Sequence, residues 1–373
     1  MEKTINECFI QIQNGANIKQ GVKNGGFPIT RIETISNDKF NRDKMGYAGI
    51  TDASKYADYI LEDDDLLMSH INSPQYLGRT VLYKKVDGEI IIHGMNLLRL
   101  KASKEVNPSY ARYCFYGKNF RQQIAKITKK SVNQASFAVN DLKRIKVYLP
   151  EIEIQSNIVH RLDTIKELIY LYKEILNKYD LLIKARFVEM FGHQNCNEKQ
   201  LPYLTIDDVA EIYLGITHTP TYVDSGVIFI SAKNTSKDFL DLSDVKYISR
   251  EEFIKSPKGS RPQKNDVLFS RVGSNLGHPV ILEKELELCT FVSLGFLRTK
   301  GNVTSNYLKH WMRDEFFTKQ VLEHVKGGGQ PNLNTGWLKE FKIIVPNIEE
   351  QVVFDIFCQQ VDKSKFIQMN STI

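Results

Sequence analysis

Apolar residues recur through the middle of the chain at alternating steps of four and three: Ile158, Leu162, Ile165, Ile169, Tyr172, Leu176, Tyr179 and Ile183. That spacing is the seam of a coiled coil, sustained for more than three heptads. It predicts one helix over 151–192. Pro150 breaks the strand-like run before it, Glu151 and Glu153 suit the positive end of a helix, and Gly192 suits its stop. Roughly 40 residues at ~1.5 Å each make a helix about 60 Å long. Alone, such a helix would expose its seam to water, so it needs a partner. A second stripe, Ile348, Val352, Val353, Ile356, Phe357 and Val361, predicts a shorter helix over 347–373 that pairs with the first in antiparallel fashion. It offers about 25 residues against some 40, so the seam is either incompletely covered or completed by a second chain.

The flanking regions, 1–150 and 193–346, carry short β-rich runs, and they repeat one another. Ile12, Gly15 and Gly26 stand 200 residues before Ile212, Gly215 and Gly226. Asp65 and Ser69 stand 201 before Asp266 and Ser270, and Tyr110 stands 197 before Tyr307. Gln134, Leu142, Pro150 and Gln155 stand 196 before Gln330, Leu338, Pro346 and Gln351. Four blocks in one order, with an offset that drifts at loops, predict two copies of one α+β domain. Two globes on a rod formed by an antiparallel helix pair is the expected architecture.

Composition narrows the class. With 42% hydrophobic and 25% charged residues the chain reads as an ordinary globular protein. No apolar run approaches the ~20 residues of a membrane span, and the start lacks a signal-peptide pattern, so a cytoplasmic protein without membrane contact is expected. Five scattered cysteines without a CxxC pair fit a reducing compartment and packing roles. A net charge of +6 permits nucleic-acid binding without demanding it.

Catalytic motifs are missing: no phosphate-binding GxxxxGK[ST], no HExxH, and no zinc-spaced His/Cys set. Asn107-Pro108-Ser109-Tyr110 is similar to the tetrapeptide with which adenine methyltransferases grip a flipped base. A glycine-rich cofactor loop after a strand does not accompany it. The plainer reading is a helix start, with Asn107 as cap and Pro108 at the first position. Neither a catalytic residue nor a metal site is expected.

The string LDTIKELI (162–169) followed by LLIKARFVEMFG (181–192) resembles the central helical region of DNA-specificity subunits of type I restriction–modification enzymes. NDVLFSRVGSNLGHPVIL and GGGQPNLN followed by LKEFKIIVPNIEEQ resemble that family's target-recognition domains. The resemblance covers nearly the whole chain. It implies that each domain reads one half of a split sequence in double-stranded DNA and that the helices set the unread gap. It further implies that two modification (methyltransferase) subunits dock on the rod and that restriction subunits join them. S-adenosylmethionine, ATP and Mg would belong to those partners, with no cofactor in this chain. Partner contacts are expected along Leu162, Ile165, Ile169, Tyr172, Leu176, Tyr179 and Phe187, where self-association through the coiled coil is the other way to cover the seam. A type IIB-like specificity subunit, a stand-alone N6-adenine methyltransferase and a DNA-free coiled-coil scaffold are the alternatives.

Phosphate contacts call for Lys and Arg, and base readout calls for polar side chains on loops beside the strands. The candidates are Arg31, His70, Asn72, Arg79, Lys129 and Lys130 in the first domain. In the second they are Lys233, Arg261, Arg271, Asn275, Gln330 and Asn332. Arg271 leads, because a guanidinium can grip guanine O6 and N7 together. For each residue the alternative is a solvated surface side chain. Gly327-Gly328-Gly329 suits either close approach to a phosphate or a tight loop.

Overall fold

The computed structural model describes residues 1–21, 24–131, 134–273, 275–324 and 332–370, with side chains as far as Lys365. The chain divides into two compact units, Met1–Leu171 and Tyr172–Ile373. In order, the first contains β1 (Glu2–Thr4), α1 (Ile5–Cys8), β2 (Phe9–Asn14), β3 (Leu66–Ser69), β4 (Ile71–Asn72), β5 (Thr80–Leu82) and β6 (Leu97–Ala102). Then come α2 (Pro108–Tyr116), α3 (Lys118–Ile127), β7 (Lys129–Lys130), β8 (Ala135–Ser136), α4 (Val139–Lys143) and β9 (Lys146–Tyr148). The long helix α5 runs from Ile152 to Phe191 without interruption, and the division between units falls inside it.

The second unit contains β10 (Tyr203–Thr205), α6 (Ile206–Val209), β11 (Ala210–Leu214), β12 (Tyr222–Val223), β13 (Val227–Ile230), β14 (Lys246–Ile248) and α7 (Arg250–Lys255). After these come β15 (Val267–Ser270), β16 (Pro279–Ile281), β17 (Leu288–Thr290), β18 (Leu294–Thr299), α8 (Ser305–Met312) and α9 (Glu315–His324). The unit closes with α10 (Thr335–Glu340), β19 (Lys342–Ile344) and α11 (Ile348–Asn370). Among the described residues no helix is long and apolar enough to cross a membrane. Cys8, Cys289 and Cys358 are buried as expected, whereas Cys196 is exposed.

Both units share one plan. An antiparallel sheet of order β2-β6-β3-β5 in the first corresponds to β11-β18-β15-β16 in the second, and the pair β1-β9 corresponds to β10-β19. The central strands β3 and β15 are fully buried on both faces. In β3, Leu66 and Met68 face the core that α2 and α3 cover, while Leu67 faces a second cluster with Tyr83 and Leu97. Strand periodicity of two puts alternate residues into different cores, so the strand reads as an apolar run. In β15, Val267 and Phe269 alternate with Leu268 in the same manner.

Paired polar features accompany the repeat. Thr4 and Glu7 form a capping box at α1, as Thr205 and Asp208 do at α6. Arg99 on β6 meets Asp65 at 2.7 Å, and Arg298 on β18 meets Asp266 at 2.7 Å. At Gly15 and Gly215 a side chain would run into the backbone of Gly94 and Phe291 respectively, so only glycine fits.

Helix α5 starts against the first core, where Ile158 and Val159 pack, and ends within the second, where Ile183, Phe187 and Phe191 are buried. Phe354 of α11 lies 5.5 Å from both Phe187 and Phe191, while Lys365, farther along α11, bonds Asp180 at 2.7 Å. The two helices therefore run antiparallel, as the seam predicts. Along the seam, Ile165 and Ile169 are each 51% exposed. Leu162, Tyr172, Leu176 and Tyr179 are partly buried.

A buried amide starts each of these helices. Gln155 Nε2 donates to the carbonyls of Glu105 and Pro150, both at 2.8 Å, and its Oε1 accepts from Asn107 N at 2.8 Å. Gln351 repeats this with Asn302, Pro346 and Thr304 at 3.2, 2.9 and 2.9 Å. Removing either amide strands buried partners, which costs about 1–3 kcal/mol. Gln155→Ala is expected to lower hydrogen-exchange protection throughout residues 1–150 and leave the second unit unchanged, with Gln351→Ala doing the reverse. Protection unaltered in both variants would contradict the anchoring role.

Candidate nucleic-acid interface

Where β3 leaves its double core, the chain emerges into β4. There Ile71 pairs with Ser136 and Asn72 with Ala135, while Lys129 and Lys130 pair with Ser136 and Ala135 from the other side. Residues directly opposite in a ladder share a face. Asn72 and Lys130 therefore flank Ala135 on one face of this small sheet, and Lys129 shares the other with Ile71. Three predicted residues are thus brought together, and both lysines are exposed. Among the described residues of the second unit, Val272 bridges Asn332 after β15, and Leu333 N donates to the Arg271 carbonyl at 2.8 Å. Asn275 and Asn332 are exposed there.

Other candidates are engaged within the fold. Arg31 is half-exposed and lies 3.4 Å from Glu33. Arg79 pairs with Asp38 at 3.2 Å and stacks on Tyr76 at 4.7 Å. Lys233 pairs with Asp244 at 3.0 Å. Arg261 donates to the carbonyls of Phe253, Ile254 and Ser256, satisfying the orphan acceptors at the end of α7, and lies over Phe253. Its guanidinium has a structural task visible in the fold. Arg271 donates through Nε to Leu333 O at 3.3 Å and through Nη1 to Val292 O at 3.1 Å. Gln330 and Gly327-Gly328-Gly329 lie outside the described residues.

His70 departs furthest from a surface reader. It is buried, edge-on to Phe137 with ring centroids 6.3 Å apart, and burial pushes its pKa down to about 4. It is therefore neutral at ordinary pH and offers phosphate no cation. Sequence reasoning missed the buried Arg99–Asp65 pair and its half-buried counterpart Arg298–Asp266. Their signal was an arginine inside each apolar run, Leu97–Ala102 and Leu294–Thr299. Burial raises the Asp65 pKa, against the pull of Arg99, whose side chain ties β6 to the segment at Asp58 and Glu62.

Asn107 caps α2, accepting from the backbone of Ser109 and Tyr110, with Pro108 at the first turn. Tyr110 is buried and its hydroxyl donates to Tyr148 O at 3.0 Å. The tetrapeptide is a helix start. Among the described residues no group of three or more His, Cys, Asp or Glu is arranged to hold a metal ion.

The family model described as "Type I restriction modification DNA specificity domain" matches twice, over residues 2–179 and 194–372. The chain is 35% identical over 210 residues to a protein of Methanocaldococcus jannaschii described as the type I restriction enzyme MjaX specificity subunit, covering 54% of this chain and 49% of that one. It is 24% identical over 169 residues to the type I restriction enzyme EcoKI specificity subunit of Escherichia coli strain K12, covering 45% and 35%. The aligned part thus spans about half the length of the first relative and less of the second. A solved structure concerned with complex assembly and conformational transition of the type I R-M system matches in fold at TM-score 0.58 and 17% identity, covering 100% of this chain and 93% of that one. The type I restriction–modification S subunit from M. genitalium matches at 0.55 and 12%, covering 98% and 91%.

The buried histidines generate a pH dependence. Burial pushes His93 down to about 3, alongside His70 at about 4, whereas an unfolded histidine titrates near 6.5. Below about pH 6.5 the unfolded chain takes up protons that the folded rings refuse, so stability is full above that value and falls as pH drops toward 4. Ring resonances of His70 are expected to stay fixed between about pH 5.5 and 7.5. A titration midpoint near 6.5 would contradict its burial.

Proposed function

Because this chain belongs to the family of type I restriction modification DNA specificity domains, we propose that it is the DNA-reading subunit of a type I restriction–modification enzyme, without chemistry of its own. In this reading each unit contacts one half of a split target in double-stranded DNA. Two modification subunits bind along the helices and methylate adenine with S-adenosylmethionine. Restriction subunits, using ATP and Mg, join the assembly in the cytoplasm. One observation carries the reading: the same sheet-and-helix unit occurs twice, with matched anchors and cores but different side chains on the loops after β3 and β15. Paired cores with divergent loops suit two readers of different base sequences. The exposed Lys129 and Lys130, beside Asn72, offer phosphate and base contacts on one small sheet.

Helix α5 is 40 residues long, and in this reading it sets the unread gap. Deleting one heptad, residues 164–170, keeps the seam in phase and shortens the helix by about 10 Å, near three base pairs of duplex. Sequencing of methylated adenines in cells that express the modification subunits is expected to show both half-sites unchanged and the gap about three base pairs shorter. An unchanged gap would overturn the spacer role. Methylation at undivided sites by the wild-type complex would overturn the split-target reading itself.

A further inference from the structure

We propose that Arg271 is a positioning residue of the second reading surface: its guanidinium locks the loop after β15 to the Val292–Ser293 turn and the Asn332–Leu333 segment, so that Val272 and Asn332 are presented in fixed register. This inference rests on the DNA-reading role proposed above. The residue is held at four points. Its backbone N donates to Ser293 O at 2.9 Å and its carbonyl accepts from Leu333 N at 2.8 Å. Its side chain returns to the same two segments, Nε to Leu333 O at 3.3 Å and Nη1 to Val292 O at 3.1 Å. Every one of these partners is main chain, so the clamp fixes backbone rather than a neighbouring side chain.

The clamped segments belong to different parts of the unit. Val292 and Ser293 form the turn between β17 and β18, and the Ser293 hydroxyl accepts from Ala232 N at 3.1 Å. Leu333 is fully buried in the main core, whereas its neighbour Asn332 is exposed and bridges Val272. One guanidinium therefore couples the end of β15, the turn between β17 and β18, and the segment that carries the exposed Asn332.

Its cation, like that of Arg261, is met by main-chain carbonyls. Arg42, Arg99, Arg298 and Arg313 each meet a carboxylate, whereas Arg271 has no carboxylate partner among the described residues. It is half-buried all the same, and carbonyl dipoles compensate the cation. Only a planar fork reaches two carbonyls on separate segments; an ammonium is a single point.

The first unit closes the same junction with other chemistry. His70 O accepts from Phe137 N at 3.2 Å, and the neutral ring packs on Phe137. The two loops are thus set by different side chains at one equivalent position.

The test uses the full complex with modification subunits and a panel of duplexes carrying every single-base change in the target. Methylation rates are compared for wild type, Arg271→Ala and Arg271→Lys, with unfolding temperature and the salt dependence of binding. Arg271→Ala is expected to lower discrimination about tenfold at several adjacent positions of one half-site. The other half-site and the salt slope should stay unchanged. Arg271→Lys should restore part of the loss, since an ammonium can reach one of the two carbonyls. Loss confined to a single base pair, without recovery by lysine, would make Arg271 a base reader and overturn the inference. A salt slope reduced by about one would make it a phosphate contact and do the same. Equal loss at both half-sites with a lower unfolding temperature would reduce it to a residue of general stability. A wild-type complex that discriminates no bases would overturn the DNA-reading role and this inference with it, whereas failure in the variants alone would overturn only the inference.

Discussion

A glutamine sealed inside the first turn of a helix has no water to satisfy it, so it fixes that helix wherever its three partners stand. Gln155 and Gln351 are both fully buried, and each joins its helix to the carbonyl of the preceding proline and to the loop before the neighbouring helix. An unpaired amide in such a place is costly, so each helix has one rotational setting on its globe. That setting decides that Ile158 and Val159 of α5 face the first core and that α11 brings Phe354 onto Phe187 and Phe191. The same constraint occurs at both copies because the chain repeats the fold that surrounds it.

Around these anchors the two copies agree where burial dictates and differ where it does not. The capping boxes, the Arg–Asp pairs beneath the central strands and the glycines at the close approaches all recur. The satellite strands do not: β12-β14-β13-β17 is a regular four-stranded sheet, whereas the matching region of the first unit is tied by single bridges such as Ile29–Ile92 and Gly26–Ile50. Main-chain hydrogen bonds hold the frame in both, leaving the exposed side chains free to diverge.

The long helix, the α+β repeat and the antiparallel pairing were legible in the sequence, because each rests on periodicity or on matched spacing over many residues. The candidate surface was legible only in part. Asn72 and Lys130 share one face of a small sheet and Lys129 lies on the other, yet β4, β7 and β8 are two residues each and leave no periodic trace. His70 and Arg271 occupy one aligned position, and sequence alone could not tell that it lies at a junction of three segments. Arg261 reads as a free cation until the end of α7 is seen beneath it. Polarity marks a residue for the surface or for a buried partner alike, and only long-range contacts separate the two.

A chimera in which residues 193–346 are replaced by a second copy of residues 1–150 tests the two-reader account most directly, with methylated adenines mapped in cells that supply the modification subunits. If each unit reads one half-site by itself, the methylated motif should carry the first half-site on both sides of an unread gap. Methylation at the original, unsymmetrical motif would contradict the account.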